Sequence, residues 1–130
     1  MTQEELVEFA QQVREQAHAP YSNFKVGAAL ETEEGRIFTG CNVENSSYGL
    51  SMCAERVAIF KAISEGFRHF KRIAVIAETR SPVRPCGACR QVISDLFPPN
   101  ADVILANLQG DLEVAKICEL LPAPFDRSFF

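Results

Sequence analysis

Cys53-Ala54-Glu55 and, about thirty residues later, Pro85-Cys86-Gly87-Ala88-Cys89 set out three thiols and one carboxylate in a split pattern. Thiolates are soft ligands that select zinc over hard cations. A structural zinc site fills all four tetrahedral corners with protein ligands, whereas a catalytic site uses three and leaves the fourth for water. Cys53, Cys86 and Cys89 supply three, so the pattern predicts one Zn2+ per subunit with an open position. Glu55, two residues from a ligand, is placed to take a proton from a water and pass it on, the task of a general base. The chemistry implied is metal-assisted hydrolysis.

Three thiolates around one zinc ion carry a net negative charge, which opposes the ionisation of water. Arg56 lies one turn from Cys53, and Arg90 lies one turn from Cys86 and beside Cys89. Both guanidinium groups are expected to donate hydrogen bonds to ligating sulfurs and offset that charge. A C-x-x-C pair also fits a structural zinc site or a thiol-redox pair, but neither of those needs Glu55. His18 and His69 are isolated and read as surface or helix-end residues, and Cys41 and Cys118 as plain buried ones.

The elements that must position these groups follow from periodicity. Between Glu4 and Ala17, apolar Leu6, Phe9, Ala10, Val13 and Ala17 recur at helical spacing, predicting one buried stripe. Lys25 to Glu31 and Arg36 to Val43 read as strands of a hairpin closed by Thr32-Glu33-Glu34-Gly35. Cys53 to Glu65 is an apolar helix expected to be buried, with Gly66 suited to a left-handed C-cap. Ile73 to Ala77 is wholly apolar, as a central strand covered on both faces would be. Cys86 to Phe97 reads as a helix stopped by Pro98-Pro99, with Val92, Ile93 and Leu96 inward. Val103 to Ala106 and Leu112 to Ala115 are strands joined by a turn at Asn107 to Asp111. The order predicts an α/β protein, a three-layer α/β/α sandwich with a mixed five-stranded sheet.

In that layout Cys53 and Cys86 each open a helix, and helix N-termini lower the pKa of nearby thiols. Residues two apart on a helix point about 200° away from each other. Cys53 and Glu55 can therefore address one metal only if it lies beyond the helix end, near the axis.

Composition limits the partners. At 130 residues and 47% hydrophobic, the chain suits a single domain over 1–130. A net charge of -4, with thirteen Lys and Arg scattered along the chain, provides no basic field for nucleic acid. No apolar run approaches the ~20 residues of a membrane span. An acidic start, no signal-like segment and an odd cysteine count predict a soluble, cytoplasmic protein without a disulfide framework.

The pair C-A-E and P-C-G-A-C-R resembles the signature of the cytidine deaminase superfamily, H-x-E with P-C-x-x-C, with Cys53 in the His position. Ala19-Pro20-Tyr21-Ser22-Asn23-Phe24, Gly40-Cys41-Asn42-Val43-Glu44-Asn45 and Glu119-Leu120-Leu121-Pro122 extend the similarity to the small homotetrameric nucleoside deaminases. The resemblance implies hydrolysis of free cytidine and deoxycytidine to uridine and deoxyuridine plus ammonia, as in pyrimidine salvage. It implies that Asn42 and Glu44 bind the ribose, that Phe24 packs beside the base, and that backbone at Ala54 and near Cys86 holds the base edge. It further implies that Phe125 and Tyr48 contribute across subunit interfaces, so that active sites are shared within a homotetramer. A blasticidin-type aminonucleoside deaminase shares the signature and is the alternative. Phe129 and Phe130 match nothing in the resemblance.

Overall fold

The computed structural model describes residues 1–130, and its elements lie within a few residues of those predicted. In order they are α1 (Gln3–Arg14), β1 (Val26–Thr32), β2 (Ile37–Cys41), α2 (Ala54–Ser64), β3 (Phe70–Ala77), α3 (Gly87–Leu96), β4 (Asp102–Asn107), β5 (Leu112–Lys116) and the short α4 (Ile117–Leu120). Single 3-10 turns add Tyr48–Leu50 and Arg127–Phe129. Neither these turns nor α4 left a periodic signal, because one turn of helix is shorter than the window in which a period shows.

The sheet runs β2-β1-β3-β4-β5, with β3 at its centre. Only β3 and β4 pair in parallel, and the other neighbours are antiparallel. Alternation along the strands feeds two cores. Leu30, Ile73, Val75, Val103 and Leu105 point towards Ala58, Ile59 and Ala62 of α2 and Ile93 of α3. Ala29, Ala74, Ile76, Ile104 and Ala106 meet Leu6 and Ala10 of α1 on the opposite face. The three-layer α/β/α sandwich expected from the sequence is the architecture found.

Local chemistry sets the ends of these elements. Thr2 and Glu5 form a capping box at the start of α1, each side chain accepting from the other's backbone N–H. Gly66 takes a φ of +96° after α2, the left-handed conformation that glycine adopts without a Cβ penalty.

Three burial expectations need correction. Phe9 is 39% exposed although its spacing matches the buried stripe, because α1 covers the sheet with Leu6 and Ala10 on a narrow face. Cys118 is exposed on α4 rather than buried, since this single turn packs through Ile117. The helix α2 is buried on one side only, and Phe60 on its outer face is 45% exposed.

Gly40 fixes how closely α2 can lie on the sheet. A Cβ at this position would sit 2.5 Å from the Ala58 nitrogen and 2.6 Å from the Ala54 oxygen, both backbone atoms of the first turn of α2. Backbone cannot rotate aside as a side chain would, so any larger residue must push that turn, and Cys53 and Glu55 with it, off the sheet. Gly40→Ala is expected to lower stability by about 3 kcal/mol in urea unfolding, the upper end of ordinary overpacking. Gly49→Ala, with nothing within 4 Å of the added Cβ, should change it by no more than about 0.5 kcal/mol.

Candidate active site

Cys53 is the N-cap of α2, with φ -74° and ψ 152°, and Cys86 is the N-cap of α3, with φ -68° and ψ 169°. Neither is itself helical, which removes the geometric objection raised by a two-residue spacing. The extended backbone at Cys53 sends its thiol past the helix end, while Glu55 has already entered the first turn. Cys89, fully buried on the first turn of α3, completes the set, and its N–H donates to Cys86 Sγ at 3.5 Å. The three Sγ atoms lie within 4.8 Å of one another, and those of Cys53 and Cys86 are 3.7 Å apart. Tetrahedral zinc with Zn–S bonds of about 2.3 Å requires sulfurs about 3.8 Å apart, so the set fits the ion in donor type and in spacing.

Charge around the thiols is arranged to match. Arg56 donates from Nη2 to Cys53 Sγ at 3.3 Å, and its Nε is buried without a partner. The Cys53 thiol is pulled down to about 5, chiefly by the Cys89 S–H donating to it and, against the cost of burial, by Arg56 and Cys86. Cys89 moves the other way, raised by that same bond, by burial and by the negative charge of Glu55 and Cys53. Arg56 is held more firmly in its charged form by its bond to Cys53. Arg56 thus makes a contact with a sulfur of the kind expected from the sequence. Arg90 needs correction: its Nε and Nη1 donate to the carbonyls of Pro85 and Leu120, at 2.9 and 3.0 Å, rather than to sulfur. Both donors are thus taken up by main-chain oxygens, one just before Cys86 and one at the end of α4.

Glu55 is 4% exposed, and burial pushes its carboxyl up to about 7, with the charge of Cys53 adding to the rise. A carboxyl near neutrality both takes and gives a proton readily at physiological pH, as general acid–base chemistry requires.

These groups lie at one end of a cavity of about 310 Å³ lined by Phe24, Val26, Asn42, Glu44, Tyr48, Ala54, Cys53, Glu55, Val75, Val83, Arg84 and Cys86, with Ser22, Ser51 and Met52. Asn42 and Glu44 are buried and bonded to the loop that carries Phe24. Asn42 accepts from Val26 N–H at 2.8 Å and donates to the Phe24 carbonyl at 2.7 Å. Glu44 accepts from the backbone N–H groups of Tyr21 and Ser22, at 3.0 and 3.1 Å, and from the Ser22 hydroxyl. The Ser22 hydroxyl, helped by those amides, holds the Glu44 carboxyl below its ordinary range. Asn23 completes the loop at φ +59°, a conformation that asparagine tolerates.

Eight of the predicted site residues therefore line one cavity: Phe24, Asn42, Glu44, Tyr48, Cys53, Ala54, Glu55 and Cys86. Phe125 does not share it. It is 59% exposed and stacks on Phe129, ring centroids 5.4 Å apart. Val26, Val75 and Val83 are cavity walls that sequence reasoning missed: for the strand residues Val26 and Val75, alternation marks burial without saying whether packing or a ligand covers it, and Val83 lies between β3 and α3 with no periodic signal at all. Arg84, which the sequence does not single out, lines the cavity and pairs with Glu113 through Nη2 at 3.0 Å.

Comparison with known proteins agrees with this geometry. Residues 1–103 match the family model described as the cytidine and deoxycytidylate deaminase zinc-binding region. The chain is 51% identical over 127 residues to a cytidine deaminase of Sporosarcina psychrophila, covering 98% of this chain and 93% of the relative. It is 53% identical over 125 residues to a cytidine deaminase of Halalkalibacterium halodurans, covering 96% and 95%. The crystal structure of cytidine deaminase from Burkholderia pseudomallei superimposes with a TM-score of 0.94 at 55% identity, over 96% of this chain and 100% of that one. Three thiols spaced for zinc, a buried carboxyl beside them and this breadth of similarity lead to one conclusion: the chain belongs to the zinc-dependent cytidine and deoxycytidylate deaminase family.

Proposed function

We propose that residues 1–130 act as one domain that hydrolyses free cytidine and deoxycytidine to uridine and deoxyuridine with release of ammonia, a step of pyrimidine salvage. The observation that carries this reading is Glu55, a buried carboxyl raised to about 7 beside three thiols spaced for one metal ion at the end of a cavity. Zinc held by Cys53, Cys86 and Cys89 supplies, when bound, the Lewis acidity that makes water a nucleophile at neutral pH.

The protein's own groups do the rest. Glu55 takes a proton from the attacking water and delivers it to N3 of the pyrimidine, which makes C4 electrophilic. Addition of water at C4 gives a tetrahedral carbon, and Glu55 carries the second proton to the amino group, which departs as ammonia. Water and cytidine thus become uridine and ammonia with no other reactant. Phe24 packs against the substrate, and backbone at Ala54 and near Cys86 holds the base edge. Asn42 retains one amide N–H and one carbonyl lone pair beyond its backbone bonds, and Glu44 retains an acceptor site, so each can still meet a sugar hydroxyl. The buried charge of Glu44 disfavours a phosphate on the substrate, which favours nucleoside over nucleotide. Arg56 offsets the thiolate charge from beside Cys53.

The active form in this proposal is a homotetramer in which Phe125 and Tyr48 reach a neighbouring subunit's site. Exposed Phe60, Phe125 and Phe130 share one cleft with Val92 and Leu96, rimmed by Gln91, Asp95, Asp126 and Arg127, and exposed aromatic side chains grouped in this way suit a subunit contact. No helix is long and apolar enough to cross a membrane, and the proposed location is the cytoplasm. Nucleic acid is not a proposed substrate, since a cavity completed by a neighbour leaves no path for a strand.

Loss of ultraviolet absorbance on mixing the zinc-loaded protein with cytidine tests the reaction directly. Turnover should stop on chelation and return with zinc; a zinc-replete, folded protein inactive on cytidine and deoxycytidine would overturn the proposal. Glu55→Ala should keep zinc and the unfolding temperature while losing about 10²–10⁴-fold in kcat, the scale of general acid–base catalysis. Substantial residual activity would remove Glu55 from that role. Arg56→Gln is expected to lower kcat about 10–100-fold with a smaller effect on zinc content, read by metal analysis alongside steady-state kinetics.

A further inference from the structure

Arg90 follows Cys89 on the first turn of α3, the positive end of the helix, where a cation is unfavourable. Its guanidinium spans two main-chain oxygens instead of facing solvent. Nε donates to Pro85, immediately before Cys86, and Nη1 to Leu120, the last residue of α4. The Leu120 carbonyl is one of those that a helix end leaves without an internal partner. The next side chain, Gln91, donates from Nε2 to the Phe125 carbonyl at 2.7 Å. Residues 122–125 make no backbone–backbone hydrogen bond, so this is the one hydrogen bond that fixes them.

We propose that Arg90 and Gln91 are positioning residues that hold the 120–125 segment at its two ends, so that the thiol-bearing helix α3 sets where Phe125 is presented. This rests on the reading above that Phe125 completes a neighbouring subunit's pocket. Arg90 suits the first clamp because its planar fork reaches two acceptors at fixed angles, which a lysine ammonium on its single point cannot do. Gln91 suits the second because it stands one residue further along α3, facing the cleft shared by Phe60, Leu96 and Phe125. The consequence is a division of labour on one helical turn: Cys89 faces its own subunit's metal site, while its two successors govern substrate binding next door.

The test uses the intact zinc-loaded oligomer with cytidine. Gln91→Met keeps side-chain length and removes the donor, Arg90→Lys keeps the charge and loses the fork, and Phe125→Ala is the reference. Gln91→Met should raise KM about fivefold, the loss of one hydrogen bond, with kcat, zinc content and unfolding temperature unchanged. Arg90→Lys should raise KM further. In mixed oligomers isolated after co-expression with differently tagged Glu55→Ala subunits, part of the Gln91→Met activity should return to wild-type KM, because the inactive partner lends an intact segment.

If Phe125→Ala raises KM and Gln91→Met does not, the positioning role falls while the role of Phe125 stands. An unchanged KM in Phe125→Ala removes the neighbour-pocket reading, and this proposal with it. Failure of mixing to restore KM, or a joint fall of zinc content and kcat in Gln91→Met, would also overturn it, since the bond would then serve its own subunit.

Discussion

Three thiol sulfurs within 4.8 Å are a concentration of negative charge that the surrounding structure has to offset. At an effective dielectric constant of 20, two unit charges 4 Å apart repel by about 4 kcal/mol, so three thiolates would cost about 12 kcal/mol. Two helix N-termini contribute at most about 2 kcal/mol each, and a hydrogen bond from a charged donor such as Arg56 about 1.5–3 kcal/mol. These sum to roughly half of the repulsion. The remainder demands either a shared proton, as in the Cys53–Cys89 pair, or a divalent cation among the sulfurs. In either case the fixed groups around the sulfurs do not by themselves compensate three thiolates.

That requirement explains why the two helices meet where they do. Both α2 and α3 aim their N-termini at one point, and each places a cysteine at the N-cap, where the backbone is extended and the thiol extends past the helix end. Convergence of this kind needs tight packing on the sheet, because a shift of an ångström in either helix would spoil a sulfur separation of 3.7 Å. Gly40 provides it for α2 by letting helix backbone rest on strand backbone. Glu55 lies on the first turn of the same helix and is buried, and burial is the main cause of its raised pKa. The packing of α2 on the sheet therefore bears on both metal geometry and proton affinity.

Most of the framework was legible from the sequence because it depends on neighbours a few residues apart. Helical spacing marked α1, α2 and α3, glycine marked the hairpin turn and the end of α2, and the apolar run at Ile73 to Ala77 marked the centre of the sheet. The thiols and Glu55 were legible for a different reason: their side-chain types have few other uses at that spacing. What stayed hidden involves partners far apart in the chain. Arg90 lies thirty positions from Leu120 and was assigned to sulfur because only its sequence neighbours were visible. Cys118 was read as buried on residue type, and only the packing of α4 through Ile117 shows that it faces outward. For Asn42 and Glu44 the resemblance suggested a ligand, and no local pattern revealed that both first bind the backbone of the 20–26 loop.

That bonding orders the end of the cavity where Asn42 and Glu44 lie. A buried carboxylate needs hydrogen-bond donors whether or not substrate is present. Glu44 obtains them from Tyr21, Ser22 and the Ser22 hydroxyl, and in doing so fixes the loop that carries Phe24. Asn42 fixes the same loop from the other side through the Phe24 carbonyl. The two polar groups are thereby held in place by the same bonds that order the loop. An aromatic surface and two polar contacts then stand ready before binding, so little conformational entropy is lost when substrate enters. At the metal end the arrangement is the same in kind: Arg56 and two helix ends order the thiols before any ion arrives. Both ends of the cavity owe their geometry to interactions complete within the fold.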